Sequence, residues 1–93
     1  MMLRFRLDGC GSLVLPPRSG ADRADGLWQT TCAELFLALP DGRYREFNFS
    51  PSGQWAAYDF NGYRTGMRDY HPACPPRIET DQGLSVSTLT VFL

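Results

Sequence analysis

Residues 25–64, DGLWQTTCAELFLALPDGRYREFNFSPSGQWAAYDFNGYR, decide the fold. Apolar runs alternate there with turn signals of recognisable chemistry. Cys32–Leu39 is apolar throughout except for Glu34, too short for a typical helix and the right length for a strand. Pro40-Asp41-Gly42 follows, combining a fixed φ, a turn former and a residue free to take positive φ. Arg43–Phe49 and Gln54–Phe60 are the next two runs, joined by Ser50-Pro51-Ser52-Gly53, whose residues suit a type I turn. Asn61-Gly62 then supplies the strongest two-residue hairpin signal of the chain. The pattern predicts an antiparallel meander.

The turns also predict a register. Leu39 opposite Arg43 sets Leu35 against Phe47 and Phe36 against Glu46. A loop over 50–53 sets Phe49 opposite Gln54, Phe47 opposite Ala56 and Asn48 opposite Trp55. Leu35, Leu37, Leu39, Phe47, Phe49, Ala56, Tyr58 and Phe60 then share a core face, on which Arg43 and Arg45 also fall. Glu34, Phe36, Ala38, Tyr44, Glu46, Asn48, Trp55, Ala57 and Asp59 share the other, with Arg64 brought opposite Asp59 by the Asn61-Gly62 turn.

Outward from the meander, Leu3–Leu7 alternates Leu3, Phe5 and Leu7 with Arg4 and Arg6, as a half-buried strand does. Ser12–Leu15 is expected to return as a short strand stopped by Pro16-Pro17. Arg18–Gly26 reads as a polar surface loop. Thr65–Thr80, with Gly66, Pro72, Pro75 and Pro76, gives no regular pattern, whereas Leu84–Leu93 is rich in β-branched residues and reads as a last strand.

A chain of 93 residues suits a single domain with a thin core. Nine basic and ten acidic residues, unsegregated, give a net charge of −1 and no basic patch for nucleic acid. All the basic residues are arginine. No apolar run nears the ~20 residues of a membrane span, and MMLRFRLDGC lacks the apolar segment of a secretion signal. A cytoplasmic protein with reduced thiols is the expectation. Cys10, Cys32 and Cys74 show no metal-ligand spacing; Cys32 is expected to be a small buried hydrophobe, slow to react, with Cys10 and Cys74 in loops.

Several blocks carry a resemblance: Leu27-Trp28 followed by Thr31-Cys32-Ala33-Glu34-Leu35-Phe36-Leu37, then Tyr44-Arg45-Glu46-Phe47-Asn48-Phe49-Ser50-Pro51-Ser52-Gly53-Gln54-Trp55-Ala56-Ala57-Tyr58, then Gly62-Tyr63-Arg64-Thr65-Gly66-Met67. Together they resemble the bacterial DOMON-like domain family and, more distantly, family 9 carbohydrate-binding modules. The resemblance implies an all-β antiparallel β-sandwich that binds sugars or, in some DOMON domains, haem. Members of the family run longer, so it also implies that residues 1–93 form one DOMON-like domain lacking the usual C-terminal half. Such an incomplete sandwich would expose the face bearing Leu35, Leu37, Phe47, Phe49 and Phe60 and leave Leu84–Leu93 with an unpaired edge. A homodimer, or association with a missing half, would cover both.

The functional expectation is a noncatalytic ligand-binding module for carbohydrate or another small molecule. Trp55 and Tyr44 would supply an aromatic platform, with Trp28 as a second wall; Glu34, Glu46, Asn48, Asp59 and Arg64 would meet hydroxyls. The same residues also make an ordinary solvated face, and Trp28 an ordinary core or edge tryptophan. The other readings are a structural or assembly unit without ligand, and a haem-binding domain using Met67 and His71. Those two lie four residues apart in a proline-rich segment, poorly placed for opposite sides of one iron. Glu34 and Glu46 as an acid/base pair lack any sequence feature that would force their pKa values apart. No cofactor and no catalytic residue are expected.

Overall fold

The computed structural model describes residues 2–8, 19–29, 31–82 and 86–93. The expected strand Ser12–Leu15, its Pro16-Pro17 stop and Cys10 lie outside them. The described chain is all-β, arranged as two antiparallel sheets. Its strands are β1 (Met2–Asp8), β2 (Ala33–Ala38), β3 (Tyr44–Phe49), β4 (Trp55–Phe60), β5 (Arg68–Asp69), β6 (Arg77–Gln82) and β7 (Val86–Phe92). One sheet has the order β2-β3-β4-β5 and the other β1-β7-β6.

The meander forms as expected at its first turn. Leu39 N donates to the Arg43 carbonyl at 2.8 Å, so Pro40, Asp41 and Gly42 make the loop, a single 3-10 turn with Asp41 at φ 64. Leu35 therefore faces Phe47, and Phe36 faces Glu46.

The second turn corrects the register by one residue. Gly53 adopts φ 99 and donates its N–H to Ser50 O at 2.9 Å, while Ser50 N donates to Gln54 O at 2.9 Å. A type I turn closed by a residue of positive φ makes a three-residue loop, so Ser50 is already paired and Phe49 faces Trp55 rather than Gln54. Phe47 consequently faces Ala57, and every side chain of β4 changes sides. Trp55, Ala57 and Asp59 join Phe47 and Phe49; Ala56, Tyr58 and Phe60 join Glu46 and Asn48.

The third turn also moves. Asn61 N donates to Thr65 O at 2.9 Å and Gly62 bridges Thr65, so Tyr63-Arg64 forms the two-residue loop in place of Asn61-Gly62. Asn61 instead accepts at Oδ1 from Arg68 Nη1 at 2.6 Å, and a Cβ at Gly66 would collide with its side chain. This brings Arg68, not Arg64, opposite Asp59. The segment read as irregular thus holds β5, and beyond Pro76 the strand β6, in which Ile78 is buried and Thr80 half-buried while Arg77 and Glu79 are exposed.

The second sheet supplies the other side of the core. β7 is central, pairing with β1 along one edge and β6 along the other, so the expected bare edge is occupied. Phe47, Phe49, Trp55 and Ala57 from one sheet and Ile78, Leu89 and Val91 from the other form one buried cluster, with Leu3, Phe5 and Leu35 against it. Phe49 and Val91 are wholly buried. Of the apolar face expected at the surface, Phe47 and Phe49 are buried in this cluster and Leu35 is half-buried against it, Phe60 is buried instead on the other side of β4, and Leu37 is exposed.

A small second core lies on the other side of β4. Leu27, from the 3-10 turn Leu27–Gln29, is buried with Ala56, Tyr58 and Phe60, flanked by Ala24 and Tyr44. The segment leading to it is an ordered strap rather than a free loop. Ala24 N donates to Trp55 O at 2.9 Å, Trp55 Nε1 donates to Ala21 O at 3.2 Å, and Arg23 bridges Trp55 in parallel. Arg23 also donates to Asp25 at 3.1 Å and to Asp69 at 2.9 Å.

Candidate functional site

The outer face of β2 and β3 carries Glu34, Phe36 and Ala38 beside Asn48, Glu46 and Tyr44, because alternate residues of a strand share a face. Phe36 stands directly opposite Glu46, and Glu34 opposite Asn48. Phe36 is 55 % exposed. Its ring lies 6.2 Å from that of Tyr44, which stacks on Phe60 at 4.6 Å. An aromatic row thus crosses three strands, its exposed end bordered by two carboxylates.

The carboxylates are not equivalent. Glu34 is exposed and Glu46 half-buried. Asn48 is fully buried, and with its amide nitrogen turned toward the carboxylate it donates to Glu46 Oε2 at 3.1 Å and to Phe47 O at 3.3 Å. Burial, and then the charge of Glu34, push the Glu46 carboxyl above its ordinary range against the opposing pull of that hydrogen bond. Burial likewise raises the thiol of Cys32, followed by the charges of Glu34 and Glu46. Cys32 is half-buried and just precedes β2; Cys74 is exposed.

Of the residues expected to bind ligand, Glu34, Tyr44, Glu46 and Asn48 come together here. Asn48 holds Glu46 and is not itself accessible. Trp28 is 55 % exposed, so it is not a core tryptophan, and sits on the turn that packs against β3. Trp55 and Asp59 do not belong to the site. The one-residue register shift puts Trp55 in the main core, 6 % exposed, and pairs Asp59 with Arg45 at 2.7 Å. That pairing also explains how Arg45 shares a face with core residues: it is neutralised there and lies 3.5 Å over the Tyr70 ring, whereas Arg43 precedes β3 and is exposed. Arg64 is at the β4–β5 turn, where its backbone N–H donates to Tyr44 Oη at 3.3 Å and its guanidinium lies 5.2 Å from the Tyr63 ring centroid.

Phe36 was legible as an outward residue of the face, two positions after Glu34, but carried no signal as the exposed aromatic once Trp55 was placed beside it. The Arg23, Asp25, Tyr58 and Asp69 network carried none, since it joins positions far apart in the chain. Tyr58 Oη donates to Asp25 at 2.7 Å. Burial and then this bond push the Tyr58 hydroxyl up to about 12, while the same bond, ahead of Arg23, holds Asp25 below its usual value.

Among the described residues no group of His, Cys, Asp and Glu is placed to hold a metal ion, and no helix is long and apolar enough to cross a membrane. Met67 and His71 are both exposed, on either side of β5. Comparison with protein-family models, with curated proteins and with solved structures finds no match.

Proposed function

We propose that this chain is a noncatalytic ligand-binding module of DOMON-like type, and that its ligand is a carbohydrate bound on the outer face of β2 and β3. The observation that carries the reading is the exposed Phe36 ring, coupled to Tyr44 and bordered by Glu34 and Glu46. A sugar ring presents apolar C–H groups on one face and hydroxyls around its rim. Phe36 and Tyr44 suit the first, and two carboxylates, each an acceptor with several lone pairs, suit the second. Asn48 fixes Glu46 from below, which reduces the order the side chain must gain on binding.

Binding is a stronger reading than hydrolysis. Catalytic carboxylates flank the scissile bond from its two sides, whereas Glu34 and Glu46 lie on one face of the same sheet, diagonal to each other on adjacent strands.

A glycan array followed by titration calorimetry tests the proposal. Saturable binding that is lost in Phe36→Ala, with the far-UV CD spectrum unchanged, is the expected result. No binding to any glycan would favour a structural unit instead.

A further inference from the structure

We infer that the sugar this face takes carries a free amine, seated as an ammonium between Glu34 and Glu46 against the Phe36 ring. The inference rests on the carbohydrate reading above and names the chemical class of its ligand.

The argument begins with what the face offers. On this side of β2, β3 and β4 stand Glu34, Phe36, Ala38, Tyr44, Glu46, Asn48, Ala56, Tyr58 and Phe60, of which Asn48, Ala56, Tyr58 and Phe60 are buried. Two carry negative charge and none carries positive charge. The arginines nearest in the fold have partners of their own. Arg45 points through the other face to Asp59, Arg23 is bound by Asp25 and Asp69, and Arg43 Nε donates to Pro40 O at 3.2 Å. Arg64 lies with its guanidinium over Tyr63.

The accessible polar groups of the face are therefore mainly acceptors. A neutral sugar offers hydroxyl donors, but bonds from a charged donor to a carboxylate are roughly twice as strong as neutral ones. A neutral ligand would also bring Glu34 and Glu46 into a drier setting with their repulsion unrelieved. An ammonium relieves it. The aromatic component adds to the same preference, because the face of an aromatic ring attracts cations as well as C–H groups. Phe36 is exposed and stands opposite Glu46 in register, so one cation can meet a ring and a carboxylate together.

The Asn48 bond gives the subsite its shape. A wholly buried amide donates to Glu46 Oε2, so this carboxylate is held by the sheet beneath it while Glu34 is exposed above. Glu46 is the fixed partner for the ligand and Glu34 the adaptable one.

The experiment is titration calorimetry of the whole 93-residue chain with oligomers of glucosamine and of N-acetylglucosamine of equal length, at two salt concentrations. These probes share a ring and differ in the amine. The glucosamine oligomer is expected to bind on the order of tenfold more tightly, from one partly exposed ion pair plus one cation–aromatic contact. That advantage should shrink as salt rises, disappear in Glu46→Gln, and survive in Glu79→Gln, a charge change on the other sheet that controls for general attraction. Phe36→Ala should weaken both oligomers. Equal or tighter binding of the acetylated oligomer would overturn the amine inference and leave the carbohydrate reading standing. Binding of tetramethylammonium without binding of any glycan would uphold a cation subsite and overturn the carbohydrate reading. If neither oligomer nor tetramethylammonium binds, the amine inference falls, and the glycan array decides the carbohydrate reading.

Discussion

Arg45 and Asp59 face each other across β3 and β4 and form a two-pronged ion pair, Nε to Oδ1 at 2.7 Å and Nη2 to Oδ2 at 3.2 Å. The guanidinium also lies over Tyr70, whose ring meets Phe47 edge-on at 6.1 Å. The pair sits where the meander's inner face leaves the core, and it lets charged residues end strands whose other inward positions are apolar.

Removing one partner should therefore destabilise the fold. Both side chains are less than a third exposed, so Arg45→Ala is expected to lower unfolding free energy by about 2 kcal/mol, between an exposed pair and a buried one. The hydrogen bonds from Arg45 lower the Asp59 pKa. A depressed carboxylate contributes stability that is present above its unfolded value and lost as pH falls through the folded one. Urea titrations at pH 7 and pH 3 should show wild type losing part of its advantage over Asp59→Asn on acidification. An unchanged difference would sink the assignment.

The cluster shared by the two sheets gives a second prediction. Leu89 is 1 % exposed on the central strand of the smaller sheet, and Val91 is wholly buried beside it. Leu89→Ala should cost about 2–5 kcal/mol, a large part of the stability of a small domain. The native chain at neutral pH should leave the fluorescence of ANS unchanged, whereas the variant should enhance it. Enhancement by the native chain would mean that the two sheets do not cover each other.

How far the sequence carried the fold can be seen at its turns. Pro40-Asp41-Gly42 admits few loop geometries, and there the register Leu35 to Phe47 was legible. At Ser50–Gly53 the residue types named a type I turn but not whether Gly53 belonged to the turn or followed it. Positive φ at Gly53 adds one residue to the pairing, and that single step moved Trp55 and Asp59 off the candidate site. Asn61-Gly62 signalled a hairpin through local chemistry, but the bond from Arg68 to the Asn61 side chain engages this asparagine in a contact seven residues away. β6 was hidden by the prolines before it. Glu34, Tyr44, Glu46 and Asn48 share a face as expected because all four depend on the first turn alone.

The thiols provide a third test. Cys74 is exposed, while Cys32 is half-buried with its thiol pushed up first by burial and then by Glu34 and Glu46. Because the thiolate is the reactive form, a maleimide reagent at pH 7 should label Cys74 well before Cys32. Glu46→Gln removes one of the charges opposing the Cys32 thiolate and should speed its labelling, leaving the Cys74 rate alone. Labelling of Cys32 first would contradict the placement of β2.

Glu46→Gln should also stabilise the protein at neutral pH. A carboxyl whose folded pKa is raised favours the protonated form in the native state. Its contribution to stability is therefore most favourable below the unfolded value and declines as pH rises through the folded one. At pH 7 the ionised Glu46 bears the consequences of burial and of the Glu34 charge. A glutamine keeps an acceptor for Asn48 without that charge. Thermal unfolding should give the variant the higher Tm at pH 7, with the gap closing near pH 4 as Glu46 itself becomes protonated. A residue retained against stability fits a residue that meets a ligand. If wild type is the more stable at pH 7, Glu46 is instead a carboxylate the fold needs, and the case for it as the fixed partner of an ammonium weakens accordingly.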